Sequence, residues 1–367
     1  MFSTTSKRKL KKAGEAKRER DNRAKRLQSA QTRDVGPIKP VADPDRREQC
    51  RRDFRMFCEI YFSAVFYLPW SDDHLKAISK IERAVLSGGL FALAMPRGSG
   101  KTALAQIAAV WALLYGHRCF VCLIAATDDA AGAMLKNIQA AFNTNDLLLA
   151  DFPEVCQPIR ALEGDARRCA GQLCDGRKTN IGWKADRVVL PTVADSAASG
   201  SIVSVCGLTG SIRGQSHTLP TGSIIRPSLV ILDDPQTRES AESDSQCANR
   251  ESILHGDVLG LAGPGQKIAG IMPCTVIREG DLADRMLNRQ LNPEWQGERC
   301  RMMYAMPSSA AGWEEYAKIR AKSLQDDGDG HEATDFYREH RAEMDKGRRS
   351  HGRTGSTGMR YRPFSTR

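Results

Sequence analysis

The residues best suited to chemistry in this 367-residue chain are MPRGSGKT, positions 95–102. Gly98 and Gly100 let the backbone turn so that successive N–H groups converge on one point. An apolar run (91–95) precedes the segment and a helical pattern (103–115) follows it. A loop between a strand and a helix N-terminus is a cradle for phosphate. The expected nucleotide-binding set is Pro96, Gly98, Ser99, Gly100, Lys101 and Thr102. Lys101 would reach the β- and γ-phosphates, and Thr102 would give its hydroxyl to Mg²⁺, so the expected cofactors are ATP and Mg²⁺. The usual pattern, G-x-x-x-x-G-K-[ST], begins with Gly, and Met95 stands there instead. The bland alternative is a Gly-rich turn with an exposed lysine.

Such a site needs an apolar strand ending in a carboxylate, and LVILDDP (229–235) supplies one. Asp233 is expected to hold Mg²⁺ through water, and Asp234 to orient or deprotonate the attacking water. Asp234 is one methylene shorter than the Glu many such ATPases use. Taken alone, Asp-Asp-Pro also suits a turn or a helix cap. Two arginines could steady transition-state charge: Arg97 inside the loop, and Arg213 in GLTGSIRGQSH. A purely structural role is open for each.

The elements that position these residues follow from hydrophobic patterning. Apolar β-like runs are FALAM (91–95), CFVCLIAA (119–126), IVSVCG (202–207), LVILDD (229–234) and KIAGIM (267–272), with helical stretches between several of them, notably 102–115 and 129–142. Short buried strands alternating with helices predict an α/β fold, a mostly parallel sheet with helices on both faces. Residues 47–86 read as helical, with the aromatic cluster FRMFCEIYFSAVFYLPW expected in the core, and 151–200 as an irregular excursion. No apolar run is long enough to span a membrane. Cys119 and Cys122 form a C-x-x-C with no second pair nearby, so zinc is not expected, and the eleven scattered cysteines fit a reducing cytoplasm.

Charge is uneven. Residues 1–35 hold 12 Lys/Arg against 4 Asp/Glu, and 346–367 hold 7 against none. Taking these +8 and +7 from the chain's +10 leaves −5 for the middle. The expected organisation is a disordered basic arm at 1–45, an ATPase domain at 46–312, a polar helical linker at 313–345 and a disordered tail at 346–367. The arm is read either as a solvated tail or as a nucleic-acid- or partner-binding arm.

In their order, the segments SDDHLKAI, FALAMPRGSGKT, FPEV, GLTGSIRG, RPSLVILDDPQT and IMPCTVIREGDLADRM resemble the large terminase subunit of tailed bacteriophages. The resemblance covers roughly residues 55–345. It implies a P-loop NTPase of the additional-strand (RecA/ASCE-like) type, with a strand between the phosphate-loop strand and the carboxylate strand. It implies a coupling segment whose strand ends near Thr275 and links the hydrolysed γ-phosphate to motion. It also implies double-stranded DNA, a procapsid portal and a small terminase subunit as partners, a homo-oligomeric ring when engaged, no membrane, and a place in the host cytoplasm. Family members also carry a metal-dependent nuclease domain, which is expected to be missing here. Rereading from His351 in a shifted frame, with permitted codons, gives WPDRFNRDEISAIQHA, similar to the family's segment leading into the nuclease. The tail is therefore read as a possible out-of-frame end. The competing readings are an inactive truncated remnant and another P-loop DNA translocase or helicase.

Overall fold

The computed structural model describes residues 33–350 apart from 211, 213, 220, 221 and 264. In chain order the helices leading into the sheet are α1 (Pro44–Gln49), α2 (Phe54–Tyr61) and α3 (Asp72–Ser87). Then come β1 (Leu90–Ala94), α4 (Lys101–Leu114), β2 (Phe120–Ala125), α5 (Asp128–Thr144), α6 (Asp146–Asp151) and α7 (Pro153–Arg160). Strands β3 (Gly182–Trp183), β4 (Arg187–Val189), β5 (Ile202–Gly207) and β6 (Leu229–Asp233) follow. The chain continues through α8 (Arg238–Glu242), α9 (Asp244–Ile253), β7 (Ala269–Cys274), α10 (Leu282–Leu287) and β8 (Glu298–Arg299). A helical hairpin, α11 (Ala310–Gln325) and α12 (His331–Met344), comes last.

These strands form one eight-stranded sheet in the order β8-β1-β7-β6-β2-β5-β4-β3. Five neighbouring pairs, from β8-β1 through β2-β5, are parallel, and only β3-β4 and β4-β5 are antiparallel. The fold is thus mixed α/β with a large, mostly parallel sheet. Strand β7 lies between β1 and β6, in the place where the sequence reading expected an intervening strand.

Side chains of a strand alternate between its faces, and each face has its own core. Phe91, Leu93, Val121, Leu123, Leu229, Ile231 and Ile271 pack under α2 to α5. Ala92, Ala94, Cys122, Ile124, Val230, Leu232, Met272 and Cys274 pack with Leu254, Val258 and α10 on the other face. Burial on both faces explains why the strand sequences are continuous apolar runs without polar alternation. Helix α4 is buried along nearly its whole length, from Leu104 to Leu114, because it sits between the sheet and neighbouring helices.

Several boundaries differ from expectation. The helical reading of 47–86 breaks into three helices, each opened by a carboxylate or serine cap: Asp43, Asp53 and Ser71. Phe54, Phe57, Tyr61 and Phe62 are buried, yet Val65, Tyr67 and Leu68 are exposed, so only part of the aromatic cluster is core. The disordered arm expected at 1–45 does not extend through 33–45. Val35 pairs its N–H with the Leu173 carbonyl (2.9 Å), and Ala42 pairs with Ala150 (2.9 Å). Arg46 then forms a two-pronged ion pair with the fully buried Asp151 (2.7 and 2.8 Å), which Tyr61 also hydrogen-bonds (2.7 Å). Residues 1–32 and 351–367, and the expectations attached to them, lie outside the described residues. At the tail's beginning, Arg349–Ser350 pairs with the short strand Met303–Ala305. Among the described residues no helix is long and apolar enough to cross a membrane.

Candidate functional site

The expected site residues, Arg213 excepted, converge where β1, β7 and β6 end side by side. Parallel strands place their C-terminal ends on one edge of the sheet, so the loops leaving β1, β6 and β7 open there together. The β1 loop turns through Gly98 and Gly100, both at φ +79°, where any Cβ would be strained. Gly100 caps α4 without a side-chain hydrogen bond, leaving the helix's first N–H groups free of a side-chain cap. Beside them the Ser99 hydroxyl is buried and has no partner among the described residues.

Lys101 opens α4 and is only 8% exposed. Its ammonium donates to the Thr275 hydroxyl (2.9 Å) and pairs with the Asp234 carboxylate (3.2 Å). One cation thus links the ends of all three strands. The Thr102 hydroxyl donates to Asp233 Oδ1 (2.9 Å). Asp233 ends β6 in a largely buried position, and burial pushes its carboxyl from 3.8 up to about 6. The Thr102 hydrogen bond and Lys101 oppose that rise, and the neighbouring Asp234 charge adds to it. Asp234 takes the left-handed φ of +38° and donates its N–H to the Pro273 carbonyl (2.9 Å). A non-Gly residue in that region costs energy and is retained where its surroundings dictate it.

Two adjacent contact groups, Thr275–Lys101–Asp234 and Thr102–Asp233, are therefore brought together, although Lys101 and Thr275 lie 174 positions apart. Pro96, Gly98, Ser99 and Gly100 form the adjoining loop. Arg97 projects from that loop, exposed, with no hydrogen-bond or ion-pair partner among the described residues. Arg213 lies outside the described residues. The donor set suits Mg²⁺, which takes one or two oxygen side chains and completes its shell with phosphate oxygens and water. Thr102 and Asp233 are the pair that would hold it. Among the described residues no group of three His, Cys, Asp or Glu could form an all-protein cage.

Three contributors went unread in the sequence. His74 Nε2 contacts the Ser99 carbonyl at 2.8 Å. Since a carbonyl only accepts, Nε2 carries the proton, and Nδ1 accepts from Ser71 (2.7 Å to its hydroxyl). The box that caps α3 thereby steadies the backbone of the 96–100 loop, and the S-x-x-H spacing at 71–74 was its visible signal. Gln236 and Asp281 bond each other at 2.9 Å beneath Thr275, and no local pattern marks that pair.

No family model and no curated protein matches the chain. Among solved structures it is similar to the ATPase domain of the large terminase of Thermus phage P74-26. That match has 15% identity and a TM-score of 0.32, covering 76% of this chain and 99% of the other. An arginine-to-alanine mutant of the same domain matches at 15% identity and a TM-score of 0.31, covering 70% of this chain and 92% of the other.

Proposed function

We propose that this chain is a Mg²⁺-dependent ATPase of the additional-strand P-loop type, and that it is the motor ATPase part of a phage large terminase. The observation carrying the ATPase reading is the contact of Lys101 with Asp234 and Thr275 beside the Thr102–Asp233 pair. It places a cation, a hydroxyl–carboxylate pair, a second carboxylate and an uncapped helix start at one sheet edge. The strand order supports the same class, with β7 between the strand leading to Lys101 and the strand ending in Asp233. The terminase reading rests on the motif order in the sequence. Double-stranded DNA, a procapsid portal, a small terminase subunit and a ring of copies enter with it.

In this reading the backbone of 96–100 and the first turn of α4 bind the phosphates of ATP. Lys101 leaves Asp234 and neutralises charge between the β- and γ-phosphates. Thr102 and Asp233 would hold Mg²⁺, whose charge would further neutralise the phosphate oxygens. Asp234, freed of its ammonium, faces the γ-phosphate side and orders the attacking water. Arg97, without a partner among the described residues, has a guanidinium available for transition-state charge. Thr275 reports the state of the site through its bond to Lys101.

The test is ATP turnover by the purified chain with Mg²⁺, compared with Lys101→Ala. The variant should keep the far-ultraviolet circular dichroism of the parent and lose turnover. Parental turnover in the variant refutes the assignment.

A further inference from the structure

Gln236 lies two residues beyond Asp234 and is buried. Its amide N–H group donates to the Thr275 carbonyl (3.1 Å) and to Asp281 Oδ2 (2.9 Å). Asp281 is fully buried. Its Oδ2 also accepts the backbone N–H groups of Ile277 (2.7 Å) and Arg278 (3.1 Å), and its Oδ1 accepts that of Asp284 (2.8 Å). The turn following Thr275 is thus wrapped around one carboxylate, and Gln236 ties that carboxylate to the segment carrying Asp234. Meanwhile the Gln236 carbonyl oxygen is buried with no partner among the described residues. An unpaired buried oxygen is a cost, and a residue needed only for packing would be apolar. The donor side of the amide is what the position uses.

Two further bonds fasten the same segment. Asp234 N–H reaches the Pro273 carbonyl (2.9 Å), and Arg250 holds the Pro235 carbonyl (2.9 Å). The tips of the two loops then meet at the Lys101 ammonium. We infer that Gln236 and Asp281 are positioning residues, an amide–carboxylate strap that keeps the Thr275 hydroxyl and the Asp234 carboxylate in register with Lys101. The inference rests on the ATPase reading. Through the strap, a change at the phosphate site and a change in the 275–281 turn occur together.

The experiment compares the parent chain with Gln236→Leu and Gln236→Glu. Each is measured for Mg-ATP dissociation constant, turnover at pH 6 to 8, and hydrogen exchange of the 275–281 segment. Gln236→Leu should bind Mg-ATP within about threefold of the parent, lose at least tenfold in turnover, and exchange the Ile277 and Arg278 amides faster. Gln236→Glu keeps the size and sets two carboxylates together, amid Asp234, Lys101, Arg250 and Arg278. At pH 8 it should behave like the Leu variant. At pH 6 one shared proton restores a donor toward Asp281, so its turnover relative to the parent should rise several-fold. Should the Leu variant fail to fold, that pH ratio decides the matter alone. Parental turnover in Gln236→Leu, or a ratio for Gln236→Glu that is flat with pH, overturns the strap. A parent chain that hydrolyses no ATP overturns the ATPase reading itself, and the strap's role with it.

Discussion

The buried Asp233 carboxylate is expected to destabilise the fold, and Asp233→Asn should expose the effect. Burial lifts its carboxyl from 3.8 to about 6. At about 1.4 kcal/mol per tenfold change in proton affinity, the ionised side chain costs the fold about 3 kcal/mol at pH 8. The sign follows from the folded value lying above the unfolded one. The native chain holds the proton more tightly, so the group's stabilisation is complete below 3.8 and is lost as pH rises through about 6. Asparagine has nearly the same shape, and its carbonyl still accepts from Thr102, but it never ionises. The stability gap between variant and parent should therefore widen with pH. The carboxylate's cost is about 1 kcal/mol at pH 4.5 and about 3 kcal/mol at pH 8. Urea unfolding of both proteins across that range measures the gap. Mg-ATP at about a hundred times its dissociation constant should return about 2.7 kcal/mol to the parent alone. A gap that stays constant from pH 4.5 to 8 refutes the reasoning, because a carboxylate destabilised by burial must show it in proton uptake.

The other expectations concern single contacts. Asp234→Asn should retain Mg-ATP binding and lose about two decades of turnover, the usual cost of removing a positioned base, as read by separate binding and rate assays. Arg46→Ala should destabilise the chain by about 3–5 kcal/mol, because it strands the fully buried Asp151 carboxylate, and denaturant melts will show it. Deleting residues 1–32 should leave turnover unchanged while removing a DNA affinity that falls steeply with salt, measurable by titrating fluorescent duplex at two ionic strengths.

The central sheet was legible because its strands are buried on both faces. All five apolar runs chosen from the sequence are strands, with ends displaced by at most two residues. Strand β8 was not legible: Glu298–Arg299 is two charged residues at the sheet's edge, recruited by pairing with Leu93 and Ala94. The segment 33–45 was misread for a related reason. Its composition is that of a solvated segment, and its order comes from partners more than a hundred residues away, including Leu173, Ala150 and Gln157. Local composition carries no trace of such contacts. The site divides the same way. Lys101, Thr102, Asp233 and Asp234 announce themselves by motif. Asp281 looks like an ordinary helix cap, which it also is, and only the fold shows its second oxygen turned toward Gln236.

That division bears on how the site would work. The Lys101 ammonium has two partners, Thr275 and Asp234. The proposed reaction needs Asp234 elsewhere, while Thr275 stays with the lysine. Phosphate is the stronger claimant for an ammonium, since it brings more negative charge and more acceptors than one half-exposed carboxylate. Binding ATP would then break the Lys101–Asp234 pair, and Asp234 would become available to water only when a phosphate has taken the lysine. On the proposed reading, the water-ordering role of Asp234 would therefore depend on phosphate taking the lysine. The same exchange pulls on Thr275, whose carbonyl is fixed through Gln236 while its hydroxyl follows Lys101. A residue held at its backbone and pulled at its side chain is suited to turn ligand occupancy into a shift of the segment that follows. In the proposed reaction the buried bonds around Asp281 would carry this segment as one piece.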